Sequence, residues 1–148
     1  MESRKPLLLI VEDDPLQQKI FALLAERYSF RLEFANSGLE ALNLLASQSQ
    51  FDVIIMDWKL PNMSGLECTR AIREREMQKE EYTPIIGVTA YATAEDRRKC
   101  LASGMDDYLS KPFDMDEFHN LVVKWTGKKG KLRVRTLPWS RQDDSVSA

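Results

Sequence analysis

The side chains with the most chemical potential in this sequence stand at the ends of apolar runs. Phe51-Asp-Val-Ile-Ile-Met-Asp57 places a carboxylate directly after an apolar stretch, and Leu7-Leu-Leu-Ile-Val11 leads into Glu12-Asp13-Asp14. Pro84-Ile-Ile-Gly-Val-Thr89 ends in a hydroxyl, and Asp107-Tyr-Leu-Ser110 is followed by Lys111. Such runs suit strands covered on both faces, as in a parallel sheet, whose C-terminal edge is where open α/β folds do their chemistry. Brought to one edge, two carboxylates about 5 Å apart would repel by roughly 3 kcal/mol at an effective dielectric of about 20. Glu12, Asp13 and Asp57 together therefore call for a cation or for partial protonation. Their donor atoms are all oxygen, which favours a hard ion such as Mg2+ that keeps positions open for water and phosphate oxygens. An aspartate can act as nucleophile in phosphoryl transfer while an ammonium and a hydroxyl stabilise the phosphoryl oxygens. Asp57, Lys111 and Thr89 have the types for those roles.

Positioning these groups takes alternating strands and helices. Pro15 suits a first helical turn, and Leu16, Ile20, Leu23 and Leu24 recur behind it at helical spacing. Arg31-Leu-Glu-Phe-Ala35 alternates as a partly exposed edge strand, and Ser37-Gly-Leu-Glu40 has the form of a capping box ahead of Leu39, Leu42, Leu45 and Ala46. Asp57 leads into Trp58-Lys-Leu-Pro-Asn-Met-Ser-Gly65, after which Leu66, Thr69, Ile72 and Arg73 mark a helix running toward Glu76. The polar stretch Met77 to Thr83 separates that helix from the fourth strand at Pro84 to Thr89. Thr93-Ala-Glu-Asp96 caps a fourth helix through Leu101 that Gly104 ends. Asp107 to Ser110 forms a short fifth strand, and Asp114 caps a last helix with Met115, Phe118, Leu121, Val122 and Trp125 on its inward side.

Five strands alternating with five helices predict an α/β fold with a doubly wound, five-stranded parallel sheet. The order 2-1-3-4-5 is taken from the general repertoire of such sheets, in which a member of the family named below is itself an example. It makes strands one and three neighbours, so Glu12, Asp13 and Asp57 meet at one edge, with Thr89 beside them and Lys111 just beyond.

At 148 residues, 43% hydrophobic and 30% charged, the chain fits one globular domain able to bury most of its apolar surface, with no room for a second catalytic domain. The apolar run near the N-terminus is too short for a signal peptide or a membrane span, so a cytoplasmic protein without membrane contact is expected. Cys68 and Cys100 fall in predicted helices without C-x-x-C spacing, which points to buried free thiols rather than a disulfide or a zinc site. From Gly127 onward six basic residues against two acidic ones give +4, leaving −6 for the rest of a chain whose net charge is −2. An acidic body argues against direct nucleic-acid binding. Residues 1–126 are thus expected to form the domain and 127–148 a basic, flexible tail. Within that tail Lys131-Leu-Arg-Val-Arg135 alternates like a strand, and Leu137-Pro-Trp139 is apolar enough to dock on the body.

Taken singly, the site residues have plainer readings. Asp57 could be a solvated loop carboxylate, Glu12 and Asp13 a helix cap, Thr89 a strand residue and Lys111 a snorkelling surface charge. Their joint placement at four strand ends argues against all of these at once. Ile10-Val-Glu-Asp-Asp-Pro15, Met56-Asp-Trp-Lys-Leu-Pro-Asn-Met-Ser-Gly65, Val88-Thr-Ala90 and Tyr108-Leu-Ser-Lys-Pro-Phe113 follow in that order. Through them the chain from about Leu7 to Trp125 resembles the receiver domain of two-component response regulators, of the chemotaxis-regulator-like single-domain type or the hybrid-kinase type.

The resemblance implies a flavodoxin-like receiver fold and a phospho-accepting role in a two-component system or phosphorelay. Asp57 would take the phosphoryl group from a histidine kinase or a histidine phosphotransfer protein. Glu12 and Asp13 would be the acidic pair that binds Mg2+, with the Lys59 backbone carbonyl as a further ligand. Lys111 would pair with the phosphoryl group, and its bond to Pro112 is often cis in this family. Thr89 and Tyr108 would form the switch pair, and Lys59 and Tyr91, two residues beyond Asp57 and Thr89, would tune the lifetime of the aspartyl phosphate. Such a chain is a signalling domain, not an enzyme: it catalyses only its own phosphorylation and dephosphorylation. Its output, to a downstream protein partner or a second copy, would run through the face of the fourth helix, fifth strand and fifth helix.

Ser64 departs from the Asp common before the loop glycine in this family. Two rivals are weighed by single residues. A phosphohydrolase of the haloacid dehalogenase kind needs a second Asp two residues after the nucleophile, where this chain has Lys59. A receiver-like scaffold that is never phosphorylated would not need Asp13, Asp57, Thr89 and Lys111 intact. His119, the only histidine, is expected to be exposed on the last helix.

Overall fold

The computed structural model describes residues 5–47, 50–90 and 93–128, with the backbone of 130–131. Five buried or half-buried runs become the main strands: β1 (Leu7–Val11), β2 (Arg31–Ala35), β3 (Val53–Asp57), β5 (Ile85–Thr89) and β6 (Asp107–Ser110). The helices between them are α1 (Pro15–Tyr28), α2 (Gly38–Ser47), α3 (Gly65–Lys79), α4 (Ala94–Ala102) and α5 (Met115–Trp125). Two short strands, β4 (Glu81–Tyr82) and β7 (Gly130–Lys131), complete the order. The main sheet is parallel throughout and runs β2-β1-β3-β5-β6. Counting its own strands only, this is the expected 2-1-3-4-5.

Alternation within each strand divides the core into two layers. Leu7, Leu9, Val11, Ile54 and Met56 face one side, where Ala41 and Leu42 of α2, Cys68 and Ile72 of α3, and Cys100 of α4 cover them. Leu8, Ile10, Val53, Ile55, Ile86 and Val88 face the other, under Phe21 and Leu24 of α1 and Phe118 and Val122 of α5. Strands with apolar side chains on both faces are stable only when helices cover both, which is what right-handed crossovers provide. The edge strand β2 is half-buried up to its last residue, Ala35.

The caps of α2, α4 and α5 lie where the sequence suggests, while those of α1 and α3 were not foreseen. Asp14 caps α1 by accepting from the Leu16 amide at 3.0 Å, so neither Glu12 nor Asp13 is spent on capping. Ser37 accepts from the Glu40 amide at 3.1 Å, Thr93 from Asp96 at 3.1 Å and Asp114 from Glu117 at 2.7 Å. At α3, Ser64 and Glu67 form a reciprocal capping box. Ser64, conspicuous in the sequence as a departure, thus does a structural job.

Five expectations need correction. The buried face of α1 is Phe21, Leu24 and Ala25, while Leu16 and Leu23 are 64% and 62% exposed. Met115 is exposed rather than inward, because it starts α5 before the helix reaches the core. The third helix runs past Glu76 to Lys79, and Glu81–Tyr82 then forms β4, which pairs antiparallel with Gly130–Lys131. The start of the expected C-terminal tail is therefore joined to the body there; residues 132–148, including Leu137-Pro-Trp139, lie outside the described residues. His119 is half-buried, its ring stacked on Tyr28 with centroids 4.3 Å apart.

Both cysteines are free and buried. Among the described residues no helix is long and apolar enough to cross a membrane.

Candidate functional site

Four strand ends and one loop build the site. The parallel register puts Val11 beside Met56 and Asp57 beside Val88, so Glu12, Asp57 and Thr89 emerge from neighbouring strands at the same edge. The next strand supplies Lys111, whose amide donates to the Thr89 carbonyl at 2.7 Å and keeps the chain at that edge for one residue beyond β6. The peptide bond from Lys111 to Pro112 is cis.

The loop after Asp57 is held close under it. The Trp58 amide donates to Val88 at 3.0 Å, and the Gly65 amide donates to the Trp58 carbonyl at 2.8 Å. A Cβ at position 65 would lie 2.1 Å from the Asp57 carbonyl oxygen, so only glycine lets α3 start so near the carboxylate-bearing strand. Asn62 takes a φ of 67° within the loop, a conformation asparagine tolerates better than most side chains.

Glu12, Asp13 and Asp57 each offer a carboxylate oxygen within 4.8 Å of the others. Glu12 and Asp57 are buried, and Asp13 is exposed. The Lys111 ammonium reaches between the two buried acids, 3.4 Å from Glu12 Oε1 and 3.3 Å from Asp57 Oδ1. Burial pushes the Asp57 carboxyl above its ordinary range; Lys111 opposes the rise and the Asp13 charge adds to it. Glu12 is also raised by burial, against a hydrogen bond from the Asp14 amide, and the Asp57 charge raises it further. One ammonium facing three carboxylates leaves the cluster short of positive charge. An all-oxygen donor set with one exposed member fits a hard divalent ion that retains water ligands.

The cleft beside the cluster is lined by Asp57, Trp58, Lys59, Thr89, Ala90 and Lys111. Thr89 is 2% exposed and stands at its inner end. Of the residues expected to act here, Glu12, Asp13, Asp57, Lys59, Thr89 and Lys111 are brought together; Tyr91 lies outside the described residues. Tyr108 is not among the residues lining the cleft. It is half-buried on β6, with the Arg97 guanidinium of α4 5.1 Å from its ring centroid. That contact went unseen in the sequence, because nothing local links residue 97 to residue 108.

The comparisons with known proteins agree with this geometry. A family model described as the response regulator receiver domain matches residues 8–123. The sensor protein GacS of Pseudomonas syringae pv. syringae is 35% identical over 147 residues, covering 99% of this chain and 16% of that protein. The chain spans only about that sixth of this curated relative. Among solved structures, the receiver domain of sensor histidine kinase PA1611 from Pseudomonas aeruginosa PAO1, with a magnesium ion coordinated in its active site cleft, superposes with a TM-score of 0.74. It is 35% identical and covers 84% of this chain and 99% of its own. The co-crystal structure of the Saccharomyces cerevisiae histidine phosphotransfer signaling protein Ypd1 and the receiver domain of its downstream response regulator Ssk1 gives a TM-score of 0.76 at 29% identity, covering 91% and 97%.

Proposed function

The chain belongs to the response regulator receiver domain family, and we propose that it takes a phosphoryl group from a phosphohistidine onto Asp57, with Mg2+ held beside it. The observation that carries this reading is the charge imbalance at the cleft: three carboxylate oxygens within 4.8 Å, two of them facing a single ammonium. Residues that served only stability would neutralise one another; these leave a place for a cation and a phosphoryl group.

Asp57 Oδ attacks phosphorus as the phosphorus–nitrogen bond to the donor histidine breaks, and the bonding pair returns to the imidazole nitrogen. The product is an aspartyl phosphate. Lys111, already 3.3 Å from Asp57 Oδ1, moves its hydrogen bonds to the phosphoryl oxygens. The Thr89 hydroxyl donates to another of them. Glu12, Asp13, Asp57 and the Lys59 carbonyl would hold the metal, which supplies positive charge to the transferring group. Lys59 and Tyr91 would set how fast water removes it. The domain works as a signalling module and catalyses only its own phosphorylation and dephosphorylation.

The donor, a histidine kinase or a histidine phosphotransfer protein in the cytoplasm, must approach from the open side of Asp13. Beside that side α1 shows Leu16, Ile20 and Leu23 at 64%, 38% and 62% exposure, spaced along one helical face. This is the surface we assign to the donor. The output surface is the α4–β6–α5 face, where Leu101, Met115 and Val123 are exposed and Tyr108 sits beneath Arg97. The dianionic group would draw Thr89 inward and let the Tyr108 ring follow, changing that face for a protein partner or a second copy.

Intact-mass analysis after incubation with acetyl phosphate tests the reading. One added phosphoryl group that requires both Mg2+ and Asp57, absent in EDTA and in Asp57→Asn, is the expected result. No gain at any sampling time, together with no binding of a stable phosphoryl mimic, would leave a scaffold that binds partners without phosphorylation.

A further inference from the structure

Asp13 is the exposed member of the acidic cluster, and among the described residues no hydrogen bond holds its carboxylate. Its placement must come from the backbone. The residue before it, Glu12, is fixed from several directions. The Glu12 amide donates to the Ala35 carbonyl at 3.0 Å, continuing the β1–β2 ladder, and the Glu12 carboxylate accepts from the Asp14 amide at 3.1 Å. The Glu12 carbonyl oxygen, which belongs to the peptide group leading into Asp13, accepts a 2.6 Å hydrogen bond from Gln18 Nε2, one turn into α1.

Gln18 is itself aimed. Its amide nitrogen carries two hydrogens, and the second goes to Asn36 Oδ1 at 2.7 Å, in the loop between β2 and α2. A carbonyl oxygen can only accept, so the Gln18 nitrogen, not its oxygen, must face Glu12. The peptide unit is planar, so holding the Glu12 oxygen also sets the direction of the Asp13 amide and α-carbon.

We propose that Gln18 is a positioning residue for the metal site: through the Glu12 carbonyl it sets where Asp13 stands relative to Glu12 and Asp57, with Asn36 holding the Gln18 amide in place. The inference rests on the metal reading of the cluster. It goes beyond that reading by assigning the preorganisation of the site to two side chains that touch neither metal nor substrate. Such supporting bonds keep ligands close to binding geometry before the ion arrives.

A Mg2+ titration of the full chain, followed by tryptophan emission, tests it, since Trp58 lines the cleft next to Asp57. Gln18→Met keeps the length and loses both donors; its Mg2+ dissociation constant should rise about 10-fold, the lower end of the range for residues that orient metal ligands. Gln17→Met, one residue away on the same helix, should bind as the wild type does. Asn36→Ala should weaken binding by a smaller factor, and the double variant should match Gln18→Met alone, because Asn36 acts only through Gln18. A merely structural role would lower thermal stability without that pattern. Wild-type affinity in a folded Gln18→Met protein overturns the proposal and leaves the metal reading standing. Should Gln18→Met not fold, unchanged affinity in Asn36→Ala overturns it in its place. A wild-type chain that shows no response to Mg2+ by emission or calorimetry overturns the metal reading and this inference with it.

Discussion

The two ends of the central sheet each gather carboxylates around one cation, and they do so in opposite ways. At the end opposite Asp57, Arg73 is 3% exposed, yet its Nε donates to Gly104 at 2.9 Å, Nη1 to Glu76 at 2.6 Å and to Thr83 at 2.8 Å, and Nη2 to Asp106 at 2.8 Å. The acids are as well supplied: Glu76 also accepts from the Thr83 amide at 2.7 Å, and Asp106 from the Ile85 amide at 2.8 Å and from the Tyr82 hydroxyl. Here two acids meet one guanidinium whose planar fork matches them, and backbone groups complete the set. At the Asp57 end, three acids share one ammonium that reaches only two of them, at 3.3 and 3.4 Å, and the third, Asp13, is open to solvent. The difference separates a cluster that closes on itself from one left incomplete for something that arrives. Burial and charge alone would not tell them apart; saturation does.

Removing the cation at each end is the strongest test of that contrast. Arg73→Met strands Glu76 and Asp106 in a buried site and should cost about 3–5 kcal/mol in urea unfolding. Lys111→Met should cost less than about 1 kcal/mol, because its acids border an open cleft and can take up water or protons. It should nevertheless slow phosphorylation by acetyl phosphate severely. Equal costs at the two ends would erase the distinction.

Asp57→Asn should move stability the other way. Burial raises the Asp57 pKa in the folded state above the ordinary 3.8, so between those values the folded chain binds more protons than the unfolded one. The slope of stability with pH is then negative: this group costs nothing below 3.8 and destabilises once pH exceeds its raised value. In EDTA at pH 7 the Asn variant should melt above the wild type by about 2–4 °C, the shift that roughly 1 kcal/mol produces in a chain of this size. The gap should close as pH falls toward 3.8. A variant that melts lower at pH 7 would mean that the Asp57 charge is already balanced.

Smaller effects sharpen the picture of what lies between the two ends. Burial pushes the Cys68 thiol up to about 12 and, with the Asp96 charge adding to it, the Cys100 thiol up to about 11. Neither should react with a thiol reagent at pH 8 faster than the chain unfolds, and rapid labelling would show that α3 or α4 opens locally. Truncation after Lys128 removes the β4–β7 pairing and should cost about 1 kcal/mol, with increased amide exchange at Glu81 and Tyr82.

The strands and the Asp57 end were legible in the sequence for a shared reason. A strand buried on both faces must be apolar from end to end, so its first polar residue marks the sheet edge, and Glu12, Asp57 and Thr89 are such residues. The buried face of α1 was less legible. Leu16, Ile20, Leu23 and Leu24 share a helical spacing, but Phe21, Leu24 and Ala25 are what α1 buries, because two apolar stripes run along this helix and only the sheet selects between them. Arg73 could be placed on α3 from its spacing; its partners Glu76, Thr83, Gly104 and Asp106 could not be read, since three of the four come from beyond its own helix.

What the sequence by itself determined is the five main strands and five helices, the alternation that forces a parallel sheet, and the residue types that stand where strands end. These follow from local periodicity and from the cost of burying polar groups. Only the tertiary structure decided which of the many charged residues close on one another and which stay unsatisfied. That is settled by distances between residues as far apart as Glu12 and Lys111. The packing of a sheet imposes those distances on side chains that have no local means of specifying them.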